Sequence, residues 1–268
     1  MPELAASTRL LRDLPVLEAI PAFRRAGFTT LELCAAPRHF DPSDLALARS
    51  VRAECRRSGI RVLSLHAPYS APLDITVIAR GERSRAVREV TDAAQALAEI
   101  GGSILVIHTG SELRPDANLE MRMEALAESL QRVHTRCRAL GIKLALEEMA
   151  PHMFGGRDED LDRLARLDPR PFDGFCLDVA HSFESGSLAR RVRLLLDRLV
   201  LMHLSDTAGA VQQGHLLPGD GRVPWRELLT AVGPRGKNVP FVLEADGWGA
   251  PPGETLKVAR DRLEALPW

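Results

Sequence analysis

The sequence predicts a closed (β/α)8 barrel, and three observations carry the prediction. Short β-rich runs alternate eight times with longer amphipathic stretches along 268 residues. That is about 33 residues per unit, the size of one strand–helix repeat. No Gly-rich turn follows the first strand candidate, where an open doubly wound sheet carries its phosphate-binding loop. No linker, low-complexity tract or charge run interrupts the chain, so residues 1–268 are expected to form a single domain.

Taken in order, the strand candidates are ELAAST (3–8), FTTLEL (28–33), RVLSLH (61–66), SILVIH (103–108), IKLALE (142–147), GFCLD (174–178), LVLMH (199–203) and PFVLE (240–244). Each is a short apolar run, too brief for a helix of ordinary length. Between them lie helical patterns such as SRAVREVTDAAQALAEIG and LEMRMEALAESLQRVHTRCRALG, each stopping at a glycine. A further helix is expected to begin near Pro224, after the loop GDGRVPW.

Composition narrows the function classes. A net charge of −1 supplies no whole-protein field toward nucleic acid or membrane. The four cysteines (Cys34, Cys55, Cys137, Cys176) have no metal-finger spacing and read as free thiols of a reducing compartment. No signal peptide or apolar span is visible, which leads us to expect a cytoplasmic protein with no membrane partner. A Schiff-base chemistry is disfavoured, because the only strand lysine, Lys143, begins its strand at the wrong end.

Polar residues gather at the other end. The strands finish on Glu32, His66, His108, Glu147, Asp178, His203 and Glu244. Side chains alternate along a strand, so Ala145 shares the face of Glu147 while Leu144 and Leu146 oppose it, and Val242 shares the face of Glu244. The large apolar residues then face the helices and the terminal polar groups face the barrel mouth, where such barrels carry their active sites. A lone strand-end histidine or carboxylate is commonly structural. Here five of the eight histidines (His66, His108, His181, His203, His215) fall at strand ends or just beyond them. Buried imidazoles and carboxylates converging on one place need a cation between them, and a mixed His/carboxylate set suits zinc or manganese. On this reading Asp178 is a metal ligand, and His181 is a second ligand or a substrate contact.

The motifs LHAPY, VIHTGS, LALEEM, CLDVAH, HLSD, GHLLPGDGRVPW and LEAD, in that order, resemble the xylose isomerase-like TIM-barrel superfamily over essentially the whole chain. The superfamily holds sugar isomerases and epimerases together with the endonuclease IV branch. The resemblance implies that Glu147, Asp178, His203 and Glu244 form the shared metal site. The endonuclease branch adds further zinc ligands, which His66, His108, His181 and His215 match. One aspartate of that set is replaced here by Gln213. The segment PRHF (37–40), with Arg38, and Tyr69 resemble DNA-contacting loops of the same branch. The epimerases usually carry an arginine where this chain has His215, ahead of Gly219 and Gly221.

The resemblance therefore implies a metal-dependent isomerase or epimerase acting on a small carbohydrate-like substrate, with one or two divalent metals, zinc or manganese. Glu147 and Glu244 would exchange protons with the substrate through an enediolate. His66 and His108 would hold a second metal or line the mouth, while His181, His215, Tyr69 and Arg38 would contact substrate. The alternative is an endonuclease IV-like phosphodiesterase, the one case in which nucleic acid is the partner. A metal-binding protein without catalysis is a third class.

Overall fold

Eight parallel strands pair in sequence order and close on themselves, β8 against β1. They are β1 (Leu4–Ser7), β2 (Thr30–Cys34), β3 (Arg61–His66), β4 (Ile104–His108), β5 (Lys143–Glu147), β6 (Gly174–Asp178), β7 (Leu199–Leu204) and β8 (Phe241–Leu243). The computed structural model describes residues 2–69, 73–112, 118–167, 169–209 and 214–268. The expected barrel is therefore present, with strand limits within two residues of those read from the sequence. Two strands come out two residues shorter: β1 stops at Ser7, whose hydroxyl caps a 3-10 turn, and Glu244 stands just beyond β8.

Helices sheathe the barrel: α1 (Val16–Arg25), α2 (Leu45–Ser58), α3 (Arg80–Ile100), α4 (Leu119–Ala139), α5 (Asp158–Ala165), α6 (Val179–Glu184), α7 (Leu188–Leu195), α8 (Trp225–Val232) and α9 (Pro252–Glu264). Their ends follow local chemistry. Asp44 caps α2 by accepting from Ala46 N and Leu47 N, and Asn118 caps α4 by accepting from Met121 N. Glycines in the left-handed region end α2 and α3 (Gly59 and Gly101, φ 65° and 97°). Among the described residues no helix is long and apolar enough to cross a membrane.

The core has two layers. The larger fills the space between barrel and helices, with Leu31, Leu65, Leu105, Leu144, Leu146, Phe175 and Met202 among its members. The smaller fills the barrel itself, with Ala5, Leu63, Val106, Ala145, Cys176, Leu201 and Val242. Burying each large side chain contributes about 1.5–3 kcal/mol.

Two strands break strict alternation. Leu31 pairs with Val62 but Glu32 pairs with Ser64, so Leu63 is an extra residue in β3. Likewise Phe175 pairs with Leu199 and Cys176 with Leu201, leaving Val200 extra in β7. Such bulges re-aim the side chains beyond them. Leu63 points inward with the barrel core while Val62 and Leu65 pack outward, and Val200 and Leu201 both lie against the inner core. The phase is thereby reset so that His66 and His203 point into the mouth.

Candidate metal centre

Glu147 ending β5, Asp178 ending β6, His203 on β7 and Glu244 past β8 converge. One potential ligand atom from each lies within 4.8 Å of the others, and all four side chains are buried. His66, His108 and Glu147 form a second such group, and Asp178, His181 and His215 a third. The eight predicted strand-end and loop residues of the mouth thus come together around one axis.

The hydrogen bonds behind the imidazoles fix which nitrogen faces inward. His66 Nδ1 lies 3.0 Å from the Ala67 carbonyl, which only accepts, so it carries the proton, leaving Nε2 to face Glu147 Oε2 at 3.0 Å. His181 Nδ1 donates in the same way to the Glu148 carbonyl at 3.1 Å. His203 Nε2 meets the Glu32 carboxylate at 3.2 Å, and its Nδ1 faces Glu147 Oε1 at 3.2 Å and Glu244 Oε2 at 3.1 Å. His108 Nε2 stands 3.3 Å from Glu147 Oε2. In a neutral imidazole, the lone pair on each inward nitrogen of His66 and His203 would oppose a carboxylate oxygen. That arrangement is repulsive unless a proton or a cation lies between them.

Electrostatics in the protein alone show the same demand for positive charge. Burial pulls His203 down, yet Cys176, Glu244, Glu32 and Glu147 outweigh it and hold the imidazole well above its ordinary range. Burial pushes Glu147 up, but His108 and His203 hold it well below the usual carboxylate value; for Glu244, His203 and Arg9 do so. Glu244 Oε1 is buried without a hydrogen-bond partner, and Arg9 Nη1 is 3.8 Å away. Oxygen and imidazole donors, inward lone pairs and an orphaned carboxylate oxygen together fit a divalent cation.

Glu32 plays a different part from the strand-end ligands among which the sequence grouped it. It lies under the mouth, fully buried, accepts from Ser64 Oγ at 2.8 Å and backs His203. Ser205 donates to both Asp178 oxygens (3.2 and 3.0 Å), and Asp178 Oδ1 also accepts from His181 N at 2.9 Å, capping α6. Asp178 therefore satisfies its buried charge partly through the backbone, a role that a ligand reading alone would miss.

Sequence reasoning missed Arg9 and Asp246, because one arginine after the first strand gives no signal among so many. Arg9 Nε pairs with Asp246 Oδ1 at 2.9 Å, and its Nη1 donates to the Tyr69 hydroxyl at 2.9 Å. Tyr69 in turn lies against His66 and His108, ring centroids 5.1 and 4.5 Å apart. Beside His108 and Tyr69 a cavity of about 360 Å³ opens between the β3 and β4 loops. His215 Nε2 is 3.8 Å from Glu244 Oε2. Arg38 does not join these residues: it is exposed at φ 64° in the Ala36–Phe40 turn, with no partner among the described residues. Gln213 lies outside the described residues. The four cysteines are free, as expected, and all four are also buried.

Two supports lie just outside the cluster. Arg191, fully buried on α7, donates to Glu148 Oε2 at 2.5 Å, Met149 O at 3.1 Å, Asp158 Oδ1 at 2.9 Å and the Gly156 carbonyl, while Ser182 donates to Glu148 Oε1 at 2.7 Å. These bonds lock the loop after β5, whose Glu148 carbonyl holds His181. The GDGRVPW loop is anchored by Asp206, which accepts from Gly219 N, Val223 N and Trp225 Nε1 at 2.8, 3.0 and 2.9 Å. A Cβ at Gly221 would fall 2.2 Å from Asp206 Oδ1, so this glycine serves the turn.

Comparison with known proteins places this architecture. A family model described as xylose isomerase-like TIM barrel matches residues 20–266. Among solved structures, a D-tagatose 3-epimerase-like protein superposes with a TM-score of 0.80 at 19% identity, over 98% of this chain and 97% of that one. The IolI protein with a bound zinc atom superposes at 0.83 with 16% identity, over 97% and 96%. Identities this low speak for the fold alone. In sequence, the uncharacterized protein y4fM of Sinorhizobium fredii is 28% identical over 171 residues, 61% of this chain and 53% of that protein. The match spans about half of that relative's length.

Proposed function

This chain belongs to the xylose isomerase-like TIM-barrel family, and from that premise we propose that it is a divalent-metal-dependent isomerase or epimerase of a carbohydrate-like substrate. The observation that carries the proposal is the set of inward-facing imidazole nitrogens opposed to Glu147 and Glu244. The D-tagatose 3-epimerase-like name of one structural neighbour and the zinc of another support the same class.

Glu147, Asp178, His203 and Glu244 would hold one cation, zinc or manganese, and His66 and His108 with Glu147 a second. When bound, the cation supplies Lewis-acid polarisation of a carbonyl. Glu147 and Glu244, both held ionised, remove and return the proton on the carbon beside that carbonyl. His181, fixed by the Glu148 carbonyl, and His215 present ring nitrogens to substrate hydroxyls. Tyr69 and Arg9 close one wall of the mouth.

The test is solvent exchange. Ketoses incubated with the metal-loaded protein in heavy water are expected to gain deuterium next to the carbonyl, and Glu244→Gln should suppress this, since an amide cannot accept the proton. A second reading, the endonuclease IV-like phosphodiesterase, is favoured by the third group, Asp178 with His181 and His215. Three tightly held zincs, and incision of abasic-site DNA without exchange in any ketose, would establish that reading in place of the first.

A further inference from the structure

A second cavity, of about 500 Å³, lies between the β7 and β8 loops on the far side of His215. Its size is within the range of small-ligand pockets. Trp248 lines it and is 47% exposed, so its indole face is open to the cavity. Leu217 and Val258 supply apolar wall, and Asp220, Asp246 and Glu254 supply carboxylates. His215 belongs to both spaces. It lines this cavity, its Nε2 is 3.8 Å from Glu244, and its Nδ1 is buried without a hydrogen-bond partner. The backbone of His215 is held in place by Asp246, through His215 N to Oδ2 at 3.3 Å and Asp246 N to His215 O at 2.8 Å.

We propose that this cavity is a subsite for a second, uncharged sugar ring, so that the substrate is a glycoside rather than a free monosaccharide. The inference rests on the carbohydrate reading of the centre and deepens it. An indole face packs against the C–H face of a pyranose, while the ring's hydroxyls donate to carboxylates at its edge. A purely apolar ligand would strip water from Asp220, Asp246 and Glu254 without replacing its hydrogen bonds. A phosphate would meet carboxylates on several sides, and the nearby cations are already engaged: Arg9 and Arg12 with Asp246, and Arg262 with Asp220. His215 stands 3.8 Å from Glu244 and also lines the cavity, so a substrate that reacts over Glu244 and also fills the cavity spans more than one ring.

The test compares D-fructose with the glucosyl-fructose isomers turanose, maltulose and isomaltulose, using calorimetric binding to the metal-loaded full chain and deuterium exchange. At least one disaccharide should bind about tenfold more tightly than fructose. Trp248→Ala should abolish that advantage while leaving fructose binding within about twofold, and Trp248→Phe should keep part of it. Equal binding of all four sugars, or no binding at all, overturns the subsite. So does an advantage that survives in Trp248→Ala, or a change of oligomeric state in that variant, which would show that the face meets a second copy of the chain. Exchange in fructose without any Trp248-dependent preference removes the subsite and leaves the isomerase reading intact. A Trp248-dependent preference without exchange keeps the subsite and removes the isomerase chemistry.

Discussion

Strands β4 and β5 deliver His108 and Glu147 by plain alternation, through Ile104 and Val106 in one and Ala145 in the other. Strands β3 and β7, across the ring from one another, deliver His66 and His203 inward only because each takes up an extra residue in a bulge. The difference teaches where such a centre is fragile. In a regular strand the ligand's direction is a property of its whole length. In a bulged strand it depends on the local bulge that takes up an extra residue, Leu63 or Val200.

Inserting one alanine between Leu201 and Met202 is the most direct way to break that contrast and has the largest expected effect. Alternation onward from the inward Leu201 would then turn His203 toward the helices, where an unpartnered imidazole costs several kcal/mol. We expect loss of bound metal together with a lower melting temperature, and retention of both would mean that strand phase does not aim His203. Deleting Val200 joins the outward Leu199 directly to the inward Leu201, so that variant should keep its metal.

Next in size is Asp178, on a regular strand. Asp178→Ala is expected to remove most of the metal and, with the α6 cap lost, to cost about a further 1 kcal/mol of stability. Asp178→Asn should lose metal while keeping the cap, so metal analysis and thermal melting of the two variants separate ligation from capping. Full metal content in Asp178→Ala would end its assignment as a ligand.

A smaller effect sharpens the comparison from behind. Glu32 stands opposite the bulge, paired with Ser64, and orients the bulge-presented His203. Glu32→Gln should weaken metal binding by about ten- to a hundredfold without abolishing it. An unchanged affinity by competitive chelator titration would show that the bulge alone suffices.

The smallest effect is a pH dependence of the metal-stripped protein. Burial pulls His181 down, but Asp178, Glu147 and Glu148 raise it to about 9. Its folded value exceeds its unfolded value of about 6.5. The resulting stability is fully present below about 6.5 and is lost as pH rises through about 9. The metal-loaded protein should not share this loss, since a cation on Glu147 and Asp178 offsets the carboxylate charge that raises the imidazole. Melting curves of both forms across that window check it.

The barrel and its mouth were legible in the sequence because most of the eight short runs carry a polar residue at or next to their last position, and such a residue identifies itself without counting from the strand's base. The bulges were not legible: Leu63 beside Ser64, or Val200 beside Leu201, reads as continuous strand, and only pairing with a neighbour exposes the extra residue. Glu32 was visible as a strand-end acid, but its place under His203 depends on the β2–β3 register. Arg9, Asp246 and Arg191 carry no local pattern at all. Their positions follow from contacts across the chain, 237 residues apart for Arg9 with Asp246.

Arg191 also bears on the order in which the molecule assembles. A chain folded only as far as β5 contains Glu148 and the loop behind it but not the guanidinium that neutralises them, and an unpaired buried carboxylate keeps such a loop in water. Closure of that loop, and with it the orientation of His181, must wait until α7 docks. The barrel wall is thus expected to form before its mouth. In pulse-labelled refolding, amides of β4 and β5 should gain protection earlier than those of residues 149–156. Simultaneous protection would show that the loop closes without its arginine.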